Sequence, residues 1–343
     1  MRIGENPAKS HTYLDANVAH RVVVPVHIPN LDGYHAQSLQ ILELCLQSIV
    51  ATIDADSRVT IVSDASSDEV EEFLRGFSKS HPSIDQLFIS RKGIGKMNAL
   101  FSTIRSSIEP FITVTDCDVL FKAGWQEETR RIFQAFPEAG MVSPVPTTSS
   151  NSYASGLCSS TLFFGLTRAC LQFSDVQDVE GLIRFNESIN RPGLRESQLS
   201  KHMTLRRDEV SAVVGAGHFV ATFKSAVFLK SPVEPSLHKI LGSTEERYLD
   251  SPVNNSGYLR LSTRRNFAFH MGNHLEDWML EEAAENAKRT KSTDMSSKEV
   301  DSVGRPLSAG EVFAGKLLNK LVLKKKTLRH YFQLMFGLND REY

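Results

Sequence analysis

The 343-residue sequence has few cysteines, almost no net charge and no long apolar run. Its four cysteines, at positions 45, 117, 158 and 170, form no CxxC pair, which argues against a disulfide-stapled scaffold or a cysteine zinc site and favours a reducing compartment. The 39 Lys and Arg nearly balance the 40 Asp and Glu, so no global field attracts nucleic acid. No apolar run reaches the roughly 18 residues that span a bilayer, and the polar N-terminus does not match a signal peptide. These absences predict a cytoplasmic protein with no nucleic-acid partner.

What is present in the first half is a regular alternation of short β-branched runs with longer amphipathic ones. This pattern is typical of βαβ units, and it predicts an α/β fold with a mostly parallel sheet flanked by helices. The predicted strands are 21–26, 58–63, 86–90 and 111–115, and the predicted helices are 38–50, 68–77 and 96–108. Ligands of such sheets bind beyond the carboxyl ends of the strands, so the polar residues there are the first candidates for a site.

The second strand ends in Ser63-Asp64, and Asp64 is a candidate ligand of a nucleobase or ribose. Ser66 and Glu69 are three residues apart and fit a capping box, so the alternative is that this acidic turn only starts a helix. A glycine-spaced basic loop, RKGIGKMN, precedes the third helix. It matches neither the Walker loop nor the dinucleotide fingerprint, which has a third glycine where this chain has Asn98, but Lys92 and Lys96 are candidates for contacting a diphosphate.

The sharpest signal is Asp116-Cys117-Asp118, directly after the apolar strand FITVT. Residues two apart on an extended segment point to the same side, so both carboxylates can face one point. Hard oxygen ligands of this kind suit Mg²⁺ or Mn²⁺, which usually share their coordination with substrate phosphates. The alternative is that these aspartates only cap a turn.

Taken in order, VPV, VSDASSD, GKMNAL and TDCDVLF resemble the nucleotide-sugar half of a GT-A fold glycosyltransferase, with the inverting enzymes of family 2 as the best match. The resemblance implies a Rossmann-like GT-A sheet, a UDP- or GDP-sugar donor and an Mn²⁺ or Mg²⁺ cofactor. By the same likeness, donor contacts would come from Pro25, Val26, Asp64, Lys92, Lys96, Asn98 and Asp116. The DxD pair would be Asp116 and Asp118. Where the family usually has two adjacent acidic residues after the second strand, this chain has Ser63-Asp64. The nucleobase of the donor is therefore left open.

The second half carries three further candidates. His218 lies in GAGHFV, which resembles the glycine-containing strand on the acceptor side, although a lone histidine also serves as a packing residue. Glu245 and Glu246 resemble the family's acidic doublet, and Glu246 matches its general base, followed by Glu245 and Asp250 as candidates. Ser243 and Glu246 also fit a capping box, which leaves the assignment open. His270, after NFAF, resembles a late third metal ligand, with a buried structural histidine as the alternative.

The expected organisation is a tail at 1–20, a glycosyltransferase domain at 21–277 and a helical, basic extension at 278–343. Within the domain, residues 21–120 form the nucleotide-sugar half and 121–277 the acceptor half. A helix at 124–136, a strand at 141–145 and a lid-like loop at 147–160 are expected at the start of the acceptor half. The stretch 316–330 has six cations and no acid, so it predicts either a helix lying on an anionic membrane surface or one packed on the body.

The resulting functional interpretation is a metal-dependent, inverting transfer of one sugar from a nucleotide-diphosphate sugar to a glycan or lipid-linked glycan, in cell-surface polysaccharide biosynthesis. The protein would be cytoplasmic, with a peripheral position on the inner face of the membrane as the role of the basic stretch. Two alternatives are a nucleotidyltransferase that makes an activated sugar, and a non-catalytic nucleotide-sugar-binding module of the same fold. The first normally has a glycine-rich basic signature near the first strand, where this chain has HIPN.

Overall fold

The computed structural model describes residues 3–6, 9, 18–147, 156–191, 193–194, 196–239, 243–288 and 303–323. Its twelve strands are β1 His20–Val26, β2 Ser57–Asp64, β3 Ile84–Ser90, β4 Phe111–Thr115, β5 Val119–Phe121, β6 Ala139–Ser143, β7 Leu171–Asp175, β8 Lys201–Arg207, β9 Val210–Val214, β10 Val220–Lys224, β11 Leu259–Ser262 and β12 Ala268–His270.

Ten α-helices accompany the strands within this described part of the chain. They are α1 Ser38–Thr52, α2 Asp68–Ser80, α3 Lys96–Ile104, α4 Trp125–Ala135, α5 Ser159–Thr167, α6 Val179–Ser188, α7 Glu196–Ser200, α8 Ser251–Asn255, α9 Asp277–Lys288 and α10 Ala309–Leu318. Short 3-10 helices lie at Gly33–His35 and Ser225–Lys230, and π-helical turns at Glu246–Asp250 and Asn319–Leu323.

Ten strands form one sheet in the order β3-β2-β1-β4-β10-β6-β11-β9-β8-β7. The pairs β3-β2, β2-β1, β1-β4 and β6-β11 are parallel, and the remaining pairs are antiparallel. All seven residues of β1 are buried, as expected for a central strand covered on both faces. The α/β fold class, with helices against a large sheet, is confirmed.

Most predicted elements of the first half are present within one to two residues. Helix α3 ends at Ile104, four residues before the predicted end at 108, and Arg105 is its C-cap residue. The capping box predicted at Ser66 is wrong: the N-cap residue of α2 is Ser67, and the Ser66 hydroxyl instead bonds Ile28 N–H (3.2 Å). The expected loop at 147–160 lies largely outside the described residues, and α5 begins inside it at Ser159.

A second sheet of two antiparallel strands, β5 and β12, lies at the same end of the molecule as the carboxyl ends of β1, β2 and β4. Its register places His270 opposite Val119, and Met271 N–H bonds Asp118 O (2.8 Å). This pairing brings a segment from late in the chain against the acidic turn that follows β4. The small sheet thereby completes the site from two distant parts of the sequence.

Candidate active site

A cleft of about 470 Å³ opens where β1, β2 and β4 end. Pro25, Val26 and His27 line one wall, and the glycine loop before α3 forms another. Asp64, Lys96 and the turn 116–118 line the cleft as well, so the sequence-predicted residues of three strand ends meet in one space. The volume is in the range of ligand sites, which occupy this position in open α/β sheets.

The carboxylate of Asp64 accepts two hydrogen bonds from the backbone of the glycine loop. Ile94 N–H donates to Oδ1 and Gly95 N–H to Oδ2, both at 2.8 Å, and the residue is only 5% exposed. Gly95 has φ +91°, and a Cβ there would lie 3.0 Å from the Lys239 Cα. The glycine spacing of this loop therefore lets its amides reach Asp64 while residue 239 packs against it. Asp64 thus holds the loop in place, and each of its oxygens retains a lone pair beside the cleft that it lines, so its predicted contact with a nucleobase or ribose stays a prediction.

Two other predicted donor contacts lie away from the cleft wall. The Lys92 side chain is exposed, and Asn98 links α3 to a later segment by exchanging hydrogen bonds with the Ser236 backbone (2.8 and 2.9 Å). Neither residue is among those that line the cleft.

Lys96 is the central cation of the site. Its ammonium group lies 2.5 Å from Asp116 Oδ1 and also bonds Glu245 Oε1, so one lysine bridges the strand-end aspartate and the acidic doublet. Burial opposes the charge on Lys96, but the two carboxylates outweigh it and raise the pKa of this amine above its usual value. The lysine is held fully charged at the floor of the cleft.

Asp118 lines the same cleft as Asp116, but its partner is His270. Its Oδ2 lies 3.4 Å from His270 Nε2, while its buried Oδ1 has no hydrogen-bond partner within the described residues. Burial, assisted by the charge of Asp116, raises the pKa of Asp118 to about 6, although His270 acts in the opposite direction. His270 Nδ1 is 3.2 Å from Ser188 Oγ, which orients the ring.

Asp118 and His270 fit a divalent cation, because an orphaned buried carboxylate oxygen next to an imidazole is a partial ligand set. Among the described residues no group of three His, Cys, Asp or Glu side chains is arranged around a common point. A cation here would therefore take its further ligands from the diphosphate or from water, as Mg²⁺ usually does. Asp116 is the third predicted ligand, and in this structure it is paired with Lys96.

The acidic doublet is divided between two environments. Glu245 faces the site, between Lys96 and His218, whose Nε2 lies 3.3 Å from Glu245 Oε2. The hydrogen bond from His218, with the nearby charge of Lys96, lowers the pKa of Glu245 to about 2 despite its burial. Glu246 is exposed and begins the π-helical turn. The helical segment begins at Thr244, and Arg247 N–H donates to the Ser243 carbonyl (2.8 Å), so Ser243 precedes the helix as the capping-box alternative expects, and that alternative stays open.

Asp250, the third candidate base, is buried and joined to Glu245 through His218. Its Oδ1 accepts from Arg260 Nη2 (2.9 Å) and its Oδ2 from His218 Nδ1 (2.8 Å). Burial opposes the charge on His218, but its hydrogen bonds and ion pairs with Asp250 and Glu245 raise its pKa to about 10. His218 is thus a charged residue that connects Glu245 to the buried Asp250. Its glycine-rich sequence surroundings did not indicate this role.

Sequence reasoning missed several residues of the cleft. His27 directly follows β1, and its ring Nδ1–H donates to the Asp64 carbonyl (2.5 Å). Tyr34 and His35, in an edge-to-face contact 5.0 Å apart, lie in the loop after β1, and Lys239 lines the opposite side. The rule that strand ends carry function would have found His27. The Lys239 segment shows neither a helical nor a strand period, and only the fold brings it here.

The profile of glycosyl transferase family 2 matches residues 26–215, more than half of the chain, and this protein belongs to that family. The family resemblance read from the strand-end motifs is thereby confirmed.

Among solved structures, the chain is similar to the mannosyltransferase PcManGT of Pyrobaculum calidifontis, solved with GDP-Man and Mn²⁺. The identity is 17% and the TM-score 0.41, over 75% of this chain and 60% of that one. It is also similar to GalNAc-T7, solved with UDP, GalNAc and Mn²⁺, at 13% identity and TM-score 0.45, over 74% of this chain and 43% of that one. The similarity to S. aureus TarS 1–349 with UDP-GlcNAc, at 11% identity and TM-score 0.31, covers 38% of this chain and 35% of that one. The chain thus spans about 60% of the first of these proteins and less than half of the other two. A search of the curated proteins finds no match.

Within the described residues, no helix is long and apolar enough to cross a membrane.

Proposed function

We propose that this chain transfers one sugar from a nucleotide-diphosphate sugar to a hydroxyl group of a glycan or lipid-linked glycan, with inversion at the anomeric carbon and with a divalent cation. The observation that carries the proposal is the bridge made by Lys96 between Asp116 on the donor side and Glu245 on the doublet. Family membership and the strand-end cleft support it. UDP- and GDP-sugars are the donors to be distinguished, and cell-surface polysaccharide synthesis is the proposed setting.

On the donor side, the diphosphate would lie between Lys96 and the Asp118–His270 pair. Asp118 and His270 are the proposed holders of Mn²⁺ or Mg²⁺, joined by Asp116 once Lys96 turns to the phosphates. The cation would neutralise charge on the leaving diphosphate. Lys96, which is already charged and positioned, would supply a second positive charge to the same oxygens. Pro25, Val26 and the rings of His27, Tyr34 and His35 would surround the nucleoside.

On the acceptor side, Glu245 is the proposed base. Glu245 contacts Lys96 and His218, which keep it ionised and lower its pKa to about 2. Its affinity for a proton would rise once Lys96 turns to the phosphates, as a general base requires. The acceptor oxygen would form its bond to the anomeric carbon while the bond to the diphosphate breaks, and the hydroxyl proton would pass to Glu245. Glu246 is the second candidate because of its match to the family doublet. Asp250 is the last, because its carboxylate serves Arg260 and His218.

Thermal shifts with UDP, GDP and their sugars, with and without Mn²⁺, test the donor site first. A ligand at 100 times its Kd adds about 2.7 kcal/mol to the free energy of unfolding. We expect a shift with one nucleotide class that requires Mn²⁺ and is absent in Asp118→Ala. Glu72→Gln removes an exposed helix carboxylate instead and is the matched control. No shift with any diphosphate would refute the donor site.

Turnover then separates the members of the doublet. With the donor identified by thermal shift, Glu245→Gln should lower kcat by about 10²–10⁴, as loss of a general base does. Glu246→Gln should retain more than a tenth of the activity. The reverse pattern would assign the base to Glu246 and refute Glu245. Because both variants can still be tested for donor binding, a loss of catalysis is separated from a loss of donor.

A further inference from the structure

Three aliphatic side chains project into solvent from the segment 229–239, which leads to the cleft. Leu229, Val233 and Leu237 are 84%, 78% and 94% exposed. Leaving an aliphatic side chain in water forgoes the favourable free energy of burying it. Single exposed aliphatic residues are common on protein surfaces, but three within eleven residues beside a cleft are typical of an interaction surface.

The backbone that carries these side chains is fixed along α3 by three contacts. Arg105 Nη2 bonds Pro232 O (2.5 Å), Asn98 exchanges hydrogen bonds with Ser236, and Lys96 N–H bonds Lys239 O (3.2 Å). Tyr248 also donates from its hydroxyl to Glu234 O (2.5 Å). The segment is therefore held at both ends and in its middle, and its aliphatic side chains point outward from an anchored backbone.

Positive charge accompanies the aliphatic side chains. The stretches 91–105 and 229–239 contain five exposed cations and one exposed acid, Glu234; the cations are Arg91, Lys92, Arg105, Lys230 and Lys239. The contacts along α3 place Arg105 near Pro232 at one end, and the Lys239 ammonium lies 3.8 Å from the Cβ position of Gly93 at the other. We call these five cations together with Leu229, Val233 and Leu237 the docking face. Its cleft end is the mouth of the active site, because Gly93 and Lys239 line the cleft.

We propose that the docking face lies on an anionic lipid bilayer and brings the cleft to an acceptor held in that bilayer. Aliphatic side chains that enter the headgroup region, flanked by lysines and arginines, are the usual composition of an interfacial membrane contact. Protein interfaces are instead depleted in lysine, and segment 229–239 contains two lysines. The charge of the face complements anionic headgroups. The acceptor part of this inference rests on the proposed transfer reaction, whereas membrane binding does not.

Vesicle binding of the full chain tests the face without any need for turnover. The triple variant Leu229→Ser, Val233→Ser, Leu237→Ser should lower partition onto phosphatidylglycerol-containing vesicles at least about tenfold. Val179→Ser, Ile183→Ser, Leu280→Ser changes three aliphatic residues that are 40%, 39% and 49% exposed elsewhere, and it should leave partition within about twofold. Arg105→Gln with Lys230→Gln should weaken binding at low salt, with a smaller effect at 0.5 M salt because charges are then screened.

A local probe separates this face from the basic stretch 316–330, which offers a second membrane contact on the same chain. In a Leu237→Trp variant, emission in excess of the wild-type signal should shift to the blue and be quenched by brominated lipids when anionic vesicles are added. The result that overturns the proposal is full vesicle binding by the serine triple together with an unquenched Leu237→Trp. Equal binding to purely phosphatidylcholine vesicles would overturn the electrostatic part. If the wild type binds no vesicles, the proposed membrane contact is refuted, and a protein is left as the partner of the docking face.

The inference and the proposed function fail in distinguishable ways. If the chain binds vesicles through the docking face but no nucleotide shifts its Tm, the transfer reaction fails and the membrane contact stands. If the serine triple binds donor and transfers sugar to a soluble acceptor normally, and the wild type does not bind vesicles, the transfer reaction stands and the membrane contact of the docking face is refuted.

Discussion

Asp250 illustrates how one substitution separates a structural carboxylate from a catalytic one. Asp250→Asn removes the charge that pairs with Arg260, a buried guanidinium that is 4% exposed. Within the described part of the chain, Arg260 Nη2 keeps its bond to the Ala216 carbonyl (2.6 Å), and Arg260 Nε has no hydrogen-bond partner. His218 Nδ1 loses its charged acceptor at the same time, while Nε2 keeps Glu245. The variant therefore leaves a buried cation without its counter-ion.

Removing one member of a buried ion pair costs about 3–5 kcal/mol, and the amide oxygen that asparagine retains moves our expectation to about 3 kcal/mol. For 343 residues the entropy of unfolding is about 0.7 kcal/mol/K, so Tm should fall by about 4 °C. Urea unfolding followed by circular dichroism measures the free energy, and a thermal scan measures Tm. Glu72→Gln, on the exposed face of α2, should change the free energy of unfolding by less than about 0.5 kcal/mol.

The apolar double variant Asp250→Leu, Arg260→Met should recover part of the lost stability, because it removes both charges from the interior. A change below about 0.5 kcal/mol in Asp250→Asn, combined with loss of turnover, would refute this reasoning and return Asp250 to the candidate bases.

Three further predictions follow from particular contacts. Gly257→Ala should lower the free energy of unfolding in urea by about 2–4 kcal/mol, because φ is +78° and a Cβ would collide with the Leu307 carbonyl. In the control variant Gly310→Ala, in α10, the new Cβ meets nothing within 4 Å, and the free energy of unfolding should rise by about 0.5–1 kcal/mol. His218 has a raised pKa, so its charge contributes fully below pH 6.5 and is lost as pH rises through about 10; the stability advantage of wild type over His218→Asn should shrink across that range, and a constant difference would contradict the ion pairs. Lys96→Gln should weaken binding of the nucleotide diphosphate at least tenfold by titration calorimetry, and unchanged affinity would exclude Lys96 as a phosphate contact.

The strands around the cleft could be predicted because each is a short β-branched run with a polar end. The run RVVVPV is buried throughout as β1, and FITVT is β4 with the predicted bounds. The antiparallel strands β7 and β8 were not predicted, since LQFSD and KHMTLRR have polar residues at many positions and little apolar contrast. Their pairing is set by tertiary contacts between segments that give a weak local signal.

For the site, the sequence indicated which strand ends carry the functional side chains, but not which partners those side chains bond. Asp64 is the last residue of β2, at the expected strand end, and its oxygens accept hydrogen bonds from Ile94 and Gly95 because the glycine loop folds back over it. Glu245 and Glu246 are adjacent in sequence, and only the start of the π-helical turn decides which of them faces Lys96. The roles assigned to these residues stay predictions until the variants are measured. The continuation of the basic stretch beyond residue 323 lies outside the described residues.

The insertion of β10 between β4 and β6 has a consequence for how the chain reaches its native state. β10 bonds β4 along five residue pairs, and the hydroxyls of Thr113 and Thr222 meet at 2.7 Å although 109 positions separate them. During synthesis β4 leaves the ribosome with one edge open, and its partner follows many seconds later at ordinary translation rates of about 5–20 residues per second. An unpaired edge of FITVT is the kind of strand that associates with other chains. Overexpressed protein should therefore be most prone to aggregation while residues 116–219 are still being made, and slower translation of that interval should lengthen the exposure.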